Sequence, residues 1–185
     1  TLPQRELLAG GAEMLKHGLI GDAGHWSALE NPSAFADRAN IEASVSIKYN
    51  VVRSDFKEAG ERKKLNFGHS IGHALESWSF RTSSPLLHGE AVALGMRYEA
   101  YLSMKRGLLS EQEYREIEAR LSVYPEVSLS QSDVEAVLAF MQTDKKNTAT
   151  GGLNFTLLTA IGSAIIDQFL AEDEVREALL NVFRA

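Results

Sequence analysis

Only one stretch of this chain, LNFTLLTAIG, reads as a strand: β-branched and aromatic residues run between Gly151-Gly152 and Gly162. Nearly everything else carries the helical period of apolar residues, punctuated by helix-start signals. Pro32, in NPSAF, stands where a first helical turn tolerates proline. Ser110 with Glu113, and Ser132 with Glu135, each match the Ser-x-x-Glu capping pattern. Helices are predicted over residues 3–18, 32–54, 69–80, 88–106, 110–121, 132–142 and 172–183. The expected fold is mainly α, a multi-helical domain with a small β-hairpin or short strands near its C-terminal third. No repeat, low-complexity tract or linker divides residues 1–185, so one domain is expected.

Composition narrows the function classes. The absence of cysteine removes thiolate metal sites, disulfides and thiol nucleophiles, so any metal must be held by nitrogen and oxygen. A formal charge of −6 argues against a general phosphate-backbone binder, and nucleic acid is not an expected partner. A local basic pocket for a small anion is compatible with that charge. The chain has no apolar run long enough to span a membrane and no signal-peptide pattern, so a cytoplasmic protein without a membrane partner is expected.

Three groups of residues could carry chemistry. On a helix over 69–80, His69, His73 and Glu76 share one stripe and Ile71, Leu75 and Trp78 face away. Two of the five histidines thus lie one turn apart, and His88 follows in a glycine-flanked turn. Gly68, Gly72 and Gly89 weaken helix propensity there, a cost that close approach of backbone or ligand explains. A solvated polar face is the competing reading. In the first helix Glu13, Lys16 and His17 form a stripe against Leu7, Leu8, Met14 and Leu15, either a surface face or the wall of a site. In the 32–54 segment Lys48 projects from an apolar arc of Ile41, Val45, Ile47, Val51 and Val52. It either lays its stem on that surface and reaches solvent, or faces a cavity holding an anion. Arg62 and Asp144-Lys145-Lys146 add basic charge that is informative only collectively.

The blocks GGAEMLKHGLI, SIKYNVVRSD, RKKLNFGHSIGHALES, LLHGEAVALGM and DKKN, in that order, resemble the C-terminal half of 3-dehydroquinate synthases, within the wider group of sugar phosphate cyclases. That resemblance implies an enzyme of aromatic amino acid biosynthesis that converts 3-deoxy-arabino-heptulosonate 7-phosphate to 3-dehydroquinate. The substrate is oxidised transiently by NAD, loses phosphate, is re-reduced, and its ring opens and recloses as a carbocycle. The resemblance implies a divalent metal, zinc or cobalt, on Glu13, His69 and His88, and proton transfer by His73, which also contacts substrate. Glu58 matches an acid-base carboxylate. Lys16, Lys48, Arg62, Asn66 and Lys145 match positions that grip carboxylate, hydroxyls and phosphate. NAD would be bound mainly by an N-terminal α/β domain absent from this chain, leaving the isolated domain inactive, and a homodimer is an option. Alternatives are another sugar phosphate cyclase, such as a 2-deoxy-scyllo-inosose synthase, and a non-catalytic helical interaction domain. The sequence departs from the family at Phe56, where a glutamate is usual, at Glu61, where Gly-Leu-Arg is usual, and at Ser70 in place of threonine.

Overall fold

The computed structural model describes residues 2–144 and 152–183, without the side chain of Asp144. Helix α5 (His88–Lys105) organises it. A helix apolar on every side must be surrounded, and α5 is. Ala91, Leu94, Tyr98 and Leu102 face one core shared with α4 (His69–Ser79), α7 (Gln131–Asp144), the hairpin and α8 (Glu172–Asn181). Val92, Ala93, Met96 and Ala100 face a second core with α1 (Gln4–Gly21), α2 (Ala23–Ala28) and α6 (Glu111–Leu121). Helix α3 (Arg38–Ser54) lies outside both and packs on α1.

Glycine lets the neighbours of α5 come close. A Cβ on Gly95 would sit 1.9 Å from the Gly68 carbonyl oxygen and 2.7 Å from the Gly72 nitrogen, so α4 and α5 cross at backbone distance. A Cβ on Gly89 would sit 2.0 Å from the Ala9 carbonyl oxygen, which fixes α1 against the first turn of α5 in the same way. The starts of α4 and α5 and the middle of α1 are thereby gathered at one point.

The expected hairpin is present. β1 (Leu153–Ala160) pairs antiparallel with β2 (Ser163–Leu170), Ala160 opposite Ser163, across a turn in which Gly162 takes φ +90°. The Ser110 box holds: the Ser110 hydroxyl accepts from the Glu113 amide, and the Glu113 carboxylate accepts from the Ser110 amide.

Two expectations about helix starts require correction. The 32–54 segment is not one helix: a 3₁₀ turn over Pro32–Ala36 stops at Asp37, whose carboxylate accepts from the Ala39 and Asn40 amides and starts α3 afresh. The cap of α7 lies two residues earlier than Ser132, at Ser130, reciprocated by Asp133. The apolar arc around Lys48 is not buried, because Ser44 alone of α3 is buried, while Ile41 is 44% and Val45 62% exposed. Among the described residues no helix is long and apolar enough to cross a membrane.

Candidate metal and anion site

A cavity of about 420 Å³ opens where α1, α3 and α4 meet the start of α5. Glu13 and Lys16 reach it from α1, and Lys48 from α3. Glu58, Arg62, Leu65 and Asn66 come from the segment joining α3 to α4, with His69 and His88 at the first positions of α4 and α5. His73 lines an adjoining hollow of about 440 Å³ between α4 and α7, together with Ser70, Glu76 and Phe140. Its ring centroid is 5.1 Å from that of His69 and 5.7 Å from that of His88. Lys145 lies outside the described residues.

The stripe on α1 faces inward, since Lys16 and His17 are 3% and 4% exposed. Lys16 Nζ donates to Glu13 Oε2 at 2.9 Å. Burial alone would raise the Glu13 carboxyl, but the charge and hydrogen bond of Lys16, helped by His69, outweigh it and hold Glu13 below the ordinary carboxylate range. For the more deeply buried Lys16 the balance is reversed: desolvation prevails over the attraction of Glu13 and lowers the ammonium. The other oxygen of Glu13, Oε1, is buried with no hydrogen-bond partner among the described residues and stands 3.6 Å from His69 Nε2. A buried carboxylate oxygen left unpaired is expensive.

The imidazoles divide into two kinds. His69 Nδ1 lies 3.3 Å from the Phe67 carbonyl oxygen, and His88 Nδ1 lies 3.1 Å from Glu76 Oε2. Both contacts are to acceptors, so a neutral ring in either place donates from Nδ1 and leaves the Nε2 lone pair free, the form in which histidine binds metal. Desolvation, with the Lys16 charge second, pushes His69 down to about 4 and keeps it neutral at pH 7. Among the described residues the His73 side chain makes no hydrogen bond. One nitrogen from each of His69, His73 and His88 can lie within 4.8 Å of the others. With Glu13 Oε1 beside them, the donor set of nitrogen and oxygen fits a divalent cation.

The side of the cavity that carries Glu58, Arg62 and Asn66 is built on a loop. Asp55 terminates α3, and its carboxylate accepts from the Ala59 amide at 3.0 Å, the Gly60 amide at 2.7 Å and the Arg62 amide at 3.2 Å. The Gly60 and Ala59 bonds lead in lowering its pKa. Within this loop Glu58 takes φ +56°, a left-handed conformation that a non-glycine residue adopts only when its surroundings hold it there. Glu58 Oε1 accepts from Asn66 Nδ2 at 3.1 Å, and its Oε2 is 3.7 Å from Arg62 Nε. Phe56 is 81% exposed and contributes its carbonyl, which accepts from Arg62 Nη1 at 3.0 Å.

Asp55, Glu99 and Leu65 were not anticipated as parts of the site. An Asp at the end of a helical run can bind amides downstream and start a turn, a signal that could have marked Asp55. Glu99 is fully buried, and its carboxylate accepts from the Gly68 amide at 2.7 Å and the Ile71 amide at 3.3 Å, which satisfies free donors at the start of α4 and fixes His69. Nothing in YEAYL distinguishes it from a surface glutamate.

His17 yields a test of this buried electrostatics. Burial first, and Lys16 second, push it down to about 4, and its Nδ1 lies 2.6 Å from Ser44 Oγ. Since an unfolded histidine titrates near about 6.5, the unfolded chain binds more protons between those values. The contribution is complete above about pH 6.5 and is lost as pH falls toward about 4. His17→Asn should therefore flatten the fall in unfolding free energy over that interval by up to about 1.4 kcal/mol per pH unit. Urea titrations at about pH 5 and about pH 7 check it; an unchanged slope would mean that His17 is not held neutral.

Comparison with known proteins places this geometry. The family model described as 3-dehydroquinate synthase C-terminal matches residues 10–147. A 3-dehydroquinate synthase of Parabacteroides distasonis is 37% identical over 97% of this chain and 52% of its own length, and one of Colwellia psychrerythraea is 38% identical over the same shares. The chain thus spans about half the length of these relatives. Among solved structures, a 2-epi-5-epi-valiolone synthase of Streptomyces hygroscopicus with NAD+ and Zn2+ bound aligns with a TM-score of 0.76 and 27% identity, over 98% of this chain and 52% of its own. A 2-deoxy-scyllo-inosose synthase complexed with carbaglucose-6-phosphate, NAD+ and Co2+ has a TM-score of 0.77, covering 96% of this chain and 53% of its own; at 22% identity it shows the shared fold. By its sequence match and by the architecture around α5, the chain belongs to the 3-dehydroquinate synthase C-terminal family.

Proposed function

We propose that this chain forms the metal- and substrate-binding region of a 3-dehydroquinate synthase, which converts 3-deoxy-arabino-heptulosonate 7-phosphate to 3-dehydroquinate and phosphate. An α/β domain that holds NAD would complete the enzyme, as the half-length match to its relatives suggests. The observation that carries the reading is the convergence of Glu13, Lys16, Lys48, Glu58, Arg62, Asn66, His69 and His88 on one cavity from separate parts of the chain.

Glu13 Oε1 and the Nε2 atoms of His69 and His88 would hold a divalent ion, zinc or cobalt. Two observations support that choice over His73: the unpaired carboxylate oxygen of Glu13, and the tautomers that Phe67 and Glu76 impose. When bound, the ion supplies Lewis acidity toward a substrate hydroxyl and the ketone derived from it. His73, beside that centre and unbonded among the described residues, is free to carry protons to and from the substrate. Lys48 and Arg62 would hold the substrate's anionic groups by charge-assisted bonds, as would Lys145. Asn66 would hydrogen-bond hydroxyls, and Glu58, steadied by Asn66 and Arg62, would act as acid or base. Lys16 holds Glu13 ionised and adds positive charge to the cavity.

The reading is tested by supplying the full-length protein with NAD, zinc or cobalt and the heptulosonate phosphate. Phosphate release and 3-dehydroquinate should appear together. Absence of both at every metal loading would refute the assignment, and turnover of a different sugar phosphate would move the protein to a sister cyclase.

A further inference from the structure

We propose that Glu76 is a positioning residue for His88, fixing the imidazole with its proton on Nδ1 and its Nε2 aimed into the cavity. The inference rests on the metal-centre reading and deepens it, because it makes the Glu76 contact a determinant of metal affinity.

The two imidazoles assigned to the ion reach their orientation by different means. His69 donates to the Phe67 carbonyl, a backbone group held by the start of α4. His88 is the first residue of α5, its side chain is 48% exposed, and its bond is to a side chain, Glu76 Oε2, at 3.1 Å. Glu76 is on α4 one turn beyond His73, and its carboxylate spans the gap between α4 and α5. That gap is narrow because Gly95 and Gly72 allow the two helices to touch. A half-exposed imidazole without this partner can rotate and place its proton on either nitrogen, and only one of those arrangements offers Nε2 to a cation. A carboxylate on the outer nitrogen of a metal-binding histidine typically matters 10- to 100-fold in metal affinity.

The competing explanation is an ordinary ion pair at a helix surface, which would add little to stability and nothing to metal binding. Zinc affinities, measured by competition with a chromophoric chelator, separate the two. Glu76→Ala should weaken binding by about 10- to 100-fold, with the metal-free melting midpoint unchanged. Glu76→Gln, whose amide oxygen still accepts from Nδ1–H, should recover most of that loss. Long-range nitrogen-15 spectra of the metal-free protein should show His88 as the Nδ1–H tautomer in the parent, and as a mixture or the other tautomer in Glu76→Ala. Equal zinc affinity for parent and Glu76→Ala, or an unchanged His88 tautomer, overturns the proposal. Should the parent bind no zinc, the metal-centre reading fails, while the nitrogen spectra, which need no metal, still decide whether Glu76 sets the imidazole.

Discussion

Gly95→Ala should sharply lower the stability of the fold and its urea midpoint. The added methyl would sit 1.9 Å from the Gly68 carbonyl oxygen and 2.7 Å from the Gly72 nitrogen, and both are backbone atoms that no rotamer change can move. Relief requires α4 and α5 to separate along a contact that joins both cores. Overpacking typically costs about 1–3 kcal/mol even where flexible side chains can give way; against backbone we expect at least roughly 3 kcal/mol, a large part of the about 5–15 kcal/mol that stabilises a domain. Gly10→Ala is the matched control. Among the described residues no atom beyond its own helix backbone would lie within 4 Å of a Cβ added there, and it is inside α1, so alanine should stabilise by about 0.5–1 kcal/mol. Urea midpoints with opposite signs at the two positions are the expected result; a Gly95→Ala protein as stable as its parent would mean that the helices do not approach this closely.

The second large effect is on metal affinity. His69→Ala should weaken zinc binding by about a hundred- to several thousandfold, as expected if about 10–16 kcal/mol of binding is spread over three protein donors at roughly 3–5 kcal/mol each. Calorimetric titration reads both affinity and stoichiometry, and the variant should retain its helical circular dichroism, since Glu99 and not the imidazole secures the start of α4. His69 is a better probe than Glu13. Removing that carboxylate would leave the ammonium of Lys16 buried without its partner, and a loss of folding would be confused with a loss of ligation. Unchanged affinity in His69→Ala would place any bound zinc elsewhere.

How far the sequence could be read depended on whether a feature was local. The Ser110 cap, the helical period of α5 and the strand at Leu153–Ala160 are written in neighbouring residues, and each formed as expected. Asp37 was passed over because the apolar period continues across it, although its carboxylate binds two amides and restarts the helix. Lys48 was read from a helical wheel, which assumes that an apolar arc faces a core. Helix α3 presents much of that arc outward, and Lys48 reaches the cavity because Ser44 and His17 dock the helix on α1. The charged and polar residues lining the cavity were legible through matched motifs. The supporting roles of Glu76, Glu99 and Asp55 were not, because each depends on how closely separate segments approach.

The two sides of the cavity are anchored differently. The donors proposed for a cation project from helices locked together at main-chain distance, whereas Glu58, Arg62 and Asn66 follow a short connection tied down by Asp55. Changes that alter which anion is accepted can therefore accumulate in that connection while the ion-holding framework stays intact. Phe56 illustrates the freedom: its ring points to solvent and only its carbonyl is used, so the identity of that side chain is open to drift. A scaffold divided in this way can diversify its substrates without rebuilding its chemistry.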